Sequence, residues 1–154
     1  KIWENVVRVK EISINEDNGK LSKLLGFPRP IKAELDSLHA GGKRRAIFDK
    51  GLVFDEVVKI YEHERKMSFS ITPITGEIPP TTLDEHVTVG GKYFTVLDGT
   101  YELVPITEGK YRLILYSHFK MNTSFNFYSG LWAEWIMKDI QNNILEIIKK
   151  RSES

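Results

Sequence analysis

The chain has 154 residues and a net charge of +1, with 22 basic side chains against 21 acidic ones, so it has no overall attraction to nucleic acid or an anionic membrane. A hydrophobic share of 41% and a charged share of 28% exclude intrinsic disorder and fit one globular domain over residues 1–154. The absence of cysteine excludes disulfides, thiol catalysis and cysteine-held zinc.

The segment from Ile2 to Val9 groups its apolar residues at helical spacing and predicts a short helix. Asn15 to Leu25 predicts a second, with Gly26 as a stop signal and Pro28 and Pro30 preventing continuation. From Ile31 to Met121 the pattern becomes short runs of Val, Ile, Phe, Tyr and Thr. These runs are cut by Gly41-Gly42, Asp49-Lys50-Gly51, Glu62 to Arg65, Pro73 to Pro80 and Thr107-Glu108-Gly109. Such spacing predicts consecutive antiparallel strands. From about Ser124 to Arg151, a helix of ~38 Å carries Trp132, Trp135, Ile136, Ile140, Ile144, Ile147 and Ile148 as one stripe. Lys138, Gln141, Asn142 and Lys149 are placed opposite. The expected class is α+β, with the long helix covering a half-buried sheet; gaps beneath such a cover often hold small molecules.

No apolar run approaches the ~20 residues of a membrane span and no signal peptide is visible, so a soluble, cytoplasmic domain is expected. With its start at Lys1, directly on an amphipathic segment, the chain is expected to be a piece of something longer.

Turns fix which side chains face inward. Asp49-Lys50-Gly51, with glycine in the left-handed position, pairs Phe48 with Leu52, Ala46 with Phe54 and Arg44 with Glu56. His63-Glu64 as a two-residue loop pairs Ile60 with Met67, Val58 with Phe69 and Glu56 with Ile71. Thr107-Glu108-Gly109 pairs Leu103 with Leu113 and Tyr101 with Leu115. The three hairpins share one apolar face, and Asp55, Lys59, Lys66, Ser68, Ser70 and Arg112 point away. Arg44 and Glu56 are then two opposite charges on the apolar side. A lone buried charge costs several kcal/mol, so they are expected to pair directly or through water. That pair is either a structural salt bridge or a polar anchor inside a cavity, in which Arg44 holds Glu56 ionised.

Other motifs carry less. His39, His63, His86 and His118 show no metal-ligand spacing, so neither a metal nor a cofactor is expected. Glu62-His63-Glu64 and Asp84-Glu85-His86 fit solvated turns, and His118 is expected to face outward. Gly90-Gly91 forms no phosphate loop, and Lys43-Arg44-Arg45 splits between two faces of a strand. Asn122-Thr123-Ser124 fits the cap of the long helix better than a glycosylation site. Trp132 and Trp135 fit core or ligand contact, while Tyr101, Tyr128 and Ser117 are inward hydroxyls.

This order resembles the START-like, or Bet v 1-like (SRPBCC), superfamily, also described as polyketide cyclase/dehydrase-like. The resemblance rests on Ile2-Trp3-Glu4-Asn5-Val6, Gly42-x-Arg44 with Phe48, and Phe54-x-Glu56. It continues through Leu97-Asp98-Gly99-x-Tyr101-x-Leu103 and Tyr111-Arg112-Leu113-x-Leu115-x-Ser117. Trp132 and Asp139-Ile140-Gln141-x-x-Ile144-Leu145 complete it. It spans the whole chain and implies a helix-grip fold, with a first strand upstream of Ile2 that this sequence lacks. It also implies a hydrophobic-ligand cavity between sheet and helix, and no fixed catalytic set.

The leading expectation is therefore binding, transport or sensing of a small hydrophobic ligand such as a lipid or polyketide-like metabolite. The expected ligand-binding set is Arg44, Phe54, Glu56, Val58, Phe69, Tyr101, Leu115, Ser117, Tyr128, Trp132 and Trp135. No nucleic acid is expected, and a membrane only if an upstream segment anchors the chain. One alternative is a cyclase or dehydratase with Glu56 as general acid or base. Another is a non-catalytic interaction module of a larger protein. A cavity favours the first two readings, and a filled interior the third.

Overall fold

A computed structural model describes residues 1–24, 27–74, 94–122 and 126–154, with 21–22 and 126–129 described as backbone. Two short helices, α1 (Ile2–Val7) and α2 (Lys20–Leu24), precede six strands. These are β1 (Pro30–Leu35), β2 (Lys43–Phe48), β3 (Val53–Glu62), β4 (Lys66–Ile74), β5 (Phe94–Thr107) and β6 (Lys110–Met121). They form one antiparallel sheet in sequence order, curled beneath a final helix, α3 (Asn126–Glu153). The class is α+β. Among the described residues, no helix is long and apolar enough to cross a membrane.

The β2–β3 turn follows its sequence. Lys50 (φ 58°) and Gly51 (φ 80°) both take left-handed backbone, setting Arg44 opposite Glu56 and Ala46 opposite Phe54. The β5–β6 turn likewise sets Tyr101 opposite Leu115 and Leu103 opposite Leu113. The β3–β4 turn differs. It spans three residues, His63 to Arg65, with Glu64 left-handed at φ 54°, and Tyr61 rather than Ile60 stands opposite Met67. A bulge between Val58 and Ile60 absorbs the extra residue, so Val58 still pairs with Phe69 and Glu56 with Ile71. Ile60 is therefore turned outward, while the Trp3 indole N–H donates to the Tyr61 hydroxyl at 3.3 Å.

The predicted strand break at Pro73 comes too early. β4 continues to Ile74, with Pro73 opposite Phe54. Proline is tolerated there because the β4–β5 pairing has already ended at Ser70 and Asp98. The rest of that break, His86 with its acidic neighbours, and Gly90-Gly91 lie outside the described residues.

The N-terminal helices are shorter than predicted. α1 stops at Val7 because Val9 leaves to bridge Ala33, donating to its carbonyl at 3.0 Å and accepting from its N–H at 2.8 Å. Ile12 donates to the Ile31 carbonyl at 2.7 Å, so this segment covers part of the β1 edge. Asn15 to Gly19 is not helical, because side chains of α3 take up its polar groups. Buried Asp17 accepts from Asn143 Nδ2 at 2.7 Å, and Asn143 Oδ1 accepts the Asn18 N–H at 2.8 Å. Arg151 donates to Glu16 at 3.0 Å and to the carbonyls of Lys10 and Glu11.

α3 is one unbroken helix; its predicted start and cap at residues 123–125 lie outside the described residues. Ala133, Ile136, Ile147 and Ile148 are buried, with Met137, Ile140 and Ile144 partly so. Trp132 and Trp135 do not belong to this stripe: they are 37% and 58% exposed and meet each other edge-on at 5.7 Å. Trp135 stands nine residues before Ile144, about two and a half turns, so the two point in opposite directions. One core cluster gathers Trp3, Val6, Val58, Met67 and Ile148, and another Phe27, Leu52, Phe94, Val96 and Ile136.

Candidate functional site

A cavity of about 120 Å³ lies between the inner face of the sheet and α3. Its walls are mainly apolar, including Phe48, Leu52, Phe54, Ile71, Val96 and Ile140. Arg44, Glu56, Tyr101, Ser117 and Gln141 supply its buried or half-buried polar groups.

Arg44 on β2 and Glu56 on β3 are 4% and 3% exposed, and the Arg44 Nη1 donates to Glu56 Oε2. Hairpin register puts them side by side; the rest of the site holds the guanidinium in place. It lies over the Phe69 ring, 5.1 Å from the centroid, a favourable cation–π placement. Phe69 stands opposite Gly99, where an added Cβ would be 2.8 Å from the ring. Gly99 is thus needed to let the ring settle on the β5 backbone. Among the described residues the Arg44 Nε–H has no acceptor, a rare condition for a buried donor.

The electrostatics follow from burial. Loss of water pushes the Glu56 carboxyl above its usual range, and the nearby Arg44 charge pulls it back only in part. Burial therefore works against the pairing by which Arg44 is expected to hold Glu56 ionised. Burial also disfavours the Arg44 cation, but attraction to Glu56 and to Tyr101 more than restores it. Burial raises the Tyr101 phenol as well, keeping it protonated. The result is a charged guanidinium paired with a carboxyl on which burial and pairing act in opposite directions.

Of the predicted set, Arg44, Phe54, Glu56, Phe69, Tyr101, Leu115 and Ser117 line the cavity. Val58 does not; it is buried beside Met67 and Trp3 in the neighbouring core. Trp132 and Trp135 are exposed and are not among the described wall residues, and the Tyr128 side chain lies outside the described residues. Gln141, expected on the solvent side, instead faces the cavity and donates to Ser117 Oγ at 2.8 Å. Its position seven residues before Ile148, nearly two full turns, is the signal that assigns it to the buried side. Met137 and Ile144 join it on the cavity wall.

Among the described residues, no histidine lines the cavity. His118 is exposed and meets Asp98 at 2.8 Å, and His63 meets the Tyr61 hydroxyl at 3.0 Å. Among the described residues, no three carboxylate or histidine side chains converge as a metal site would require. No protein-family model matches the sequence, and no curated protein matches it either.

Proposed function

We propose that the chain is a helix-grip domain of the START-like kind that binds a small, mainly apolar molecule between the sheet and α3. The element order and the placement of α3 across the inner face of the sheet support this reading. The observation that carries it is the Arg44–Glu56 pair, buried beside a mainly apolar cavity with the Arg44 Nε–H lacking an acceptor among the described residues. Breaking even with apolar replacements is the usual outcome for a buried ion pair, so stability alone is a weak reason to keep one. Ligand pockets typically run to ~300–1,000 Å³, and an engineered cavity of ~150 Å³ takes benzene. A volume of about 120 Å³ therefore favours one ring or a short chain over a sterol or a complete polyketide.

Native mass spectrometry of protein purified from cells tests the reading. A discrete adduct, lost or weakened in Glu56→Gln while the fold persists, is the expected result. Bare protein from cells, together with no uptake of small apolar compounds, would overturn it and favour an interaction module. A second reading, cyclase or dehydratase chemistry, draws on the upward shift of Glu56, which moves a carboxyl toward general-acid duty. In that case Glu56→Gln would leave binding in place and abolish turnover.

A further inference from the structure

Resting on the binding reading above, we infer that the cavity selects an uncharged ligand bearing a hydrogen-bond acceptor, such as a ketone, ester or amide oxygen on a ring-sized apolar body. Two polar groups at the cavity that keep a proton to donate carry the inference. The Arg44 Nε–H has no acceptor among the described residues. Ser117 accepts from Gln141 at 2.8 Å, which leaves its own hydroxyl proton to donate. Gln141, half-buried like Ser117, spends an amide N–H on that hydroxyl. Tyr101 is turned toward Arg44 and Glu56, and Glu56 already receives Arg44 Nη1.

Charge disfavours the ionic alternatives. Arg44 and Glu56 pair with each other, and Lys32, the other charged residue of the wall among the described residues, sends its ammonium to Glu34 at 2.7 Å. A carboxylate ligand would add a second negative charge beside Glu56 in a dry, apolar space. A cation would meet the Arg44 guanidinium. Neither finds a free counter-charge there, and an unpaired charge away from water is expensive. A neutral acceptor fills the vacant donors without disturbing the balance.

The test uses three ring compounds of similar size on the unmodified protein: cyclohexanone, methylenecyclohexane and cyclohexanecarboxylate. Binding is followed by NMR titration of the methyl groups of Ile71, Ile140 and Ile144, which line the cavity. Cyclohexanone should bind about tenfold tighter than methylenecyclohexane, equivalent to ~1.4 kcal/mol. The carboxylate should bind weakest. Ser117→Ala should narrow the preference for cyclohexanone over the hydrocarbon about threefold or more.

Equal binding of ketone and hydrocarbon would overturn acceptor selection while leaving the cavity a binding site. Tightest binding of the carboxylate would overturn the requirement for neutrality. No response from any of the three would remove the binding reading itself, and this inference with it.

Discussion

Gly99 shows how a residue without a side chain can organise a charged one. Phe69 occupies the space a methyl group would fill, and Arg44 lies on that ring. Gly99→Ala should force the ring away and lose ~1–3 kcal/mol of stability, as overpacking does, measured by urea denaturation. An unchanged midpoint would mean the ring adapts freely. The Arg44–Glu56 pair gives a second prediction. Glu56→Ala leaves a buried cation unpaired and should cost ~3–5 kcal/mol. Replacing both partners, Arg44→Met with Glu56→Leu, should recover most of that loss and still abolish the preference for an acceptor-bearing ligand. If the double variant is as unstable as Glu56→Ala, the pair is a structural necessity, and its link to ligand choice loses its main support.

At the level of elements, the loop before α2 and the last turns of α3 act as one unit. Arg151 hydrogen-bonds Glu16 and holds its carboxyl down to about 2, well below the ordinary range near 4.5. A lowered carboxylate pKa stabilises the fold above the ordinary range, and this contribution is lost as pH falls from there through about 2. Glu16 is partly exposed, so the effect should be small and weakened by salt. Glu16→Gln should flatten the fall in melting temperature across that acidic interval; parallel profiles for variant and parent would contradict it. The β3–β4 turn offers a different test. Glu64 holds left-handed backbone, which costs a residue with a Cβ ~1 kcal/mol or more, so Glu64→Gly should raise stability by ~0.5–1 kcal/mol in denaturant titration.

The same elements show what the sequence reveals. Glycine-bearing turns made the β2–β3 and β5–β6 registers legible, and with them six of the cavity residues. The three-residue turn at His63 to Arg65 was not legible, because no glycine marks its left-handed position. Its bulge hides the error, returning Glu56 to the inner face. The bulky Trp132 and Trp135 misplaced the start of the α3 stripe, because size outweighed helical phase in the reading. Asn15 to Gly19 resembled helix because its competing hydrogen bonds come from Asn143, more than a hundred residues later.

For the molecule as a whole, strand order has a consequence in time. Every strand of the sheet pairs with the one before it, so a chain leaving the ribosome can build the sheet hairpin by hairpin. α3 emerges after all six strands, and translation of residues 122–154 takes on the order of seconds. Arg44 and Glu56, only twelve positions apart, can meet while both are still hydrated. Their dehydration then falls on a single late event, the docking of the final helix. Pulse hydrogen-exchange labelling during refolding should find the amides shared by β2 and β3 protected before those of α3. Protection of α3 first would contradict that order. The nascent sheet thus assembles its charged pair in water, and the final helix seals it away from solvent.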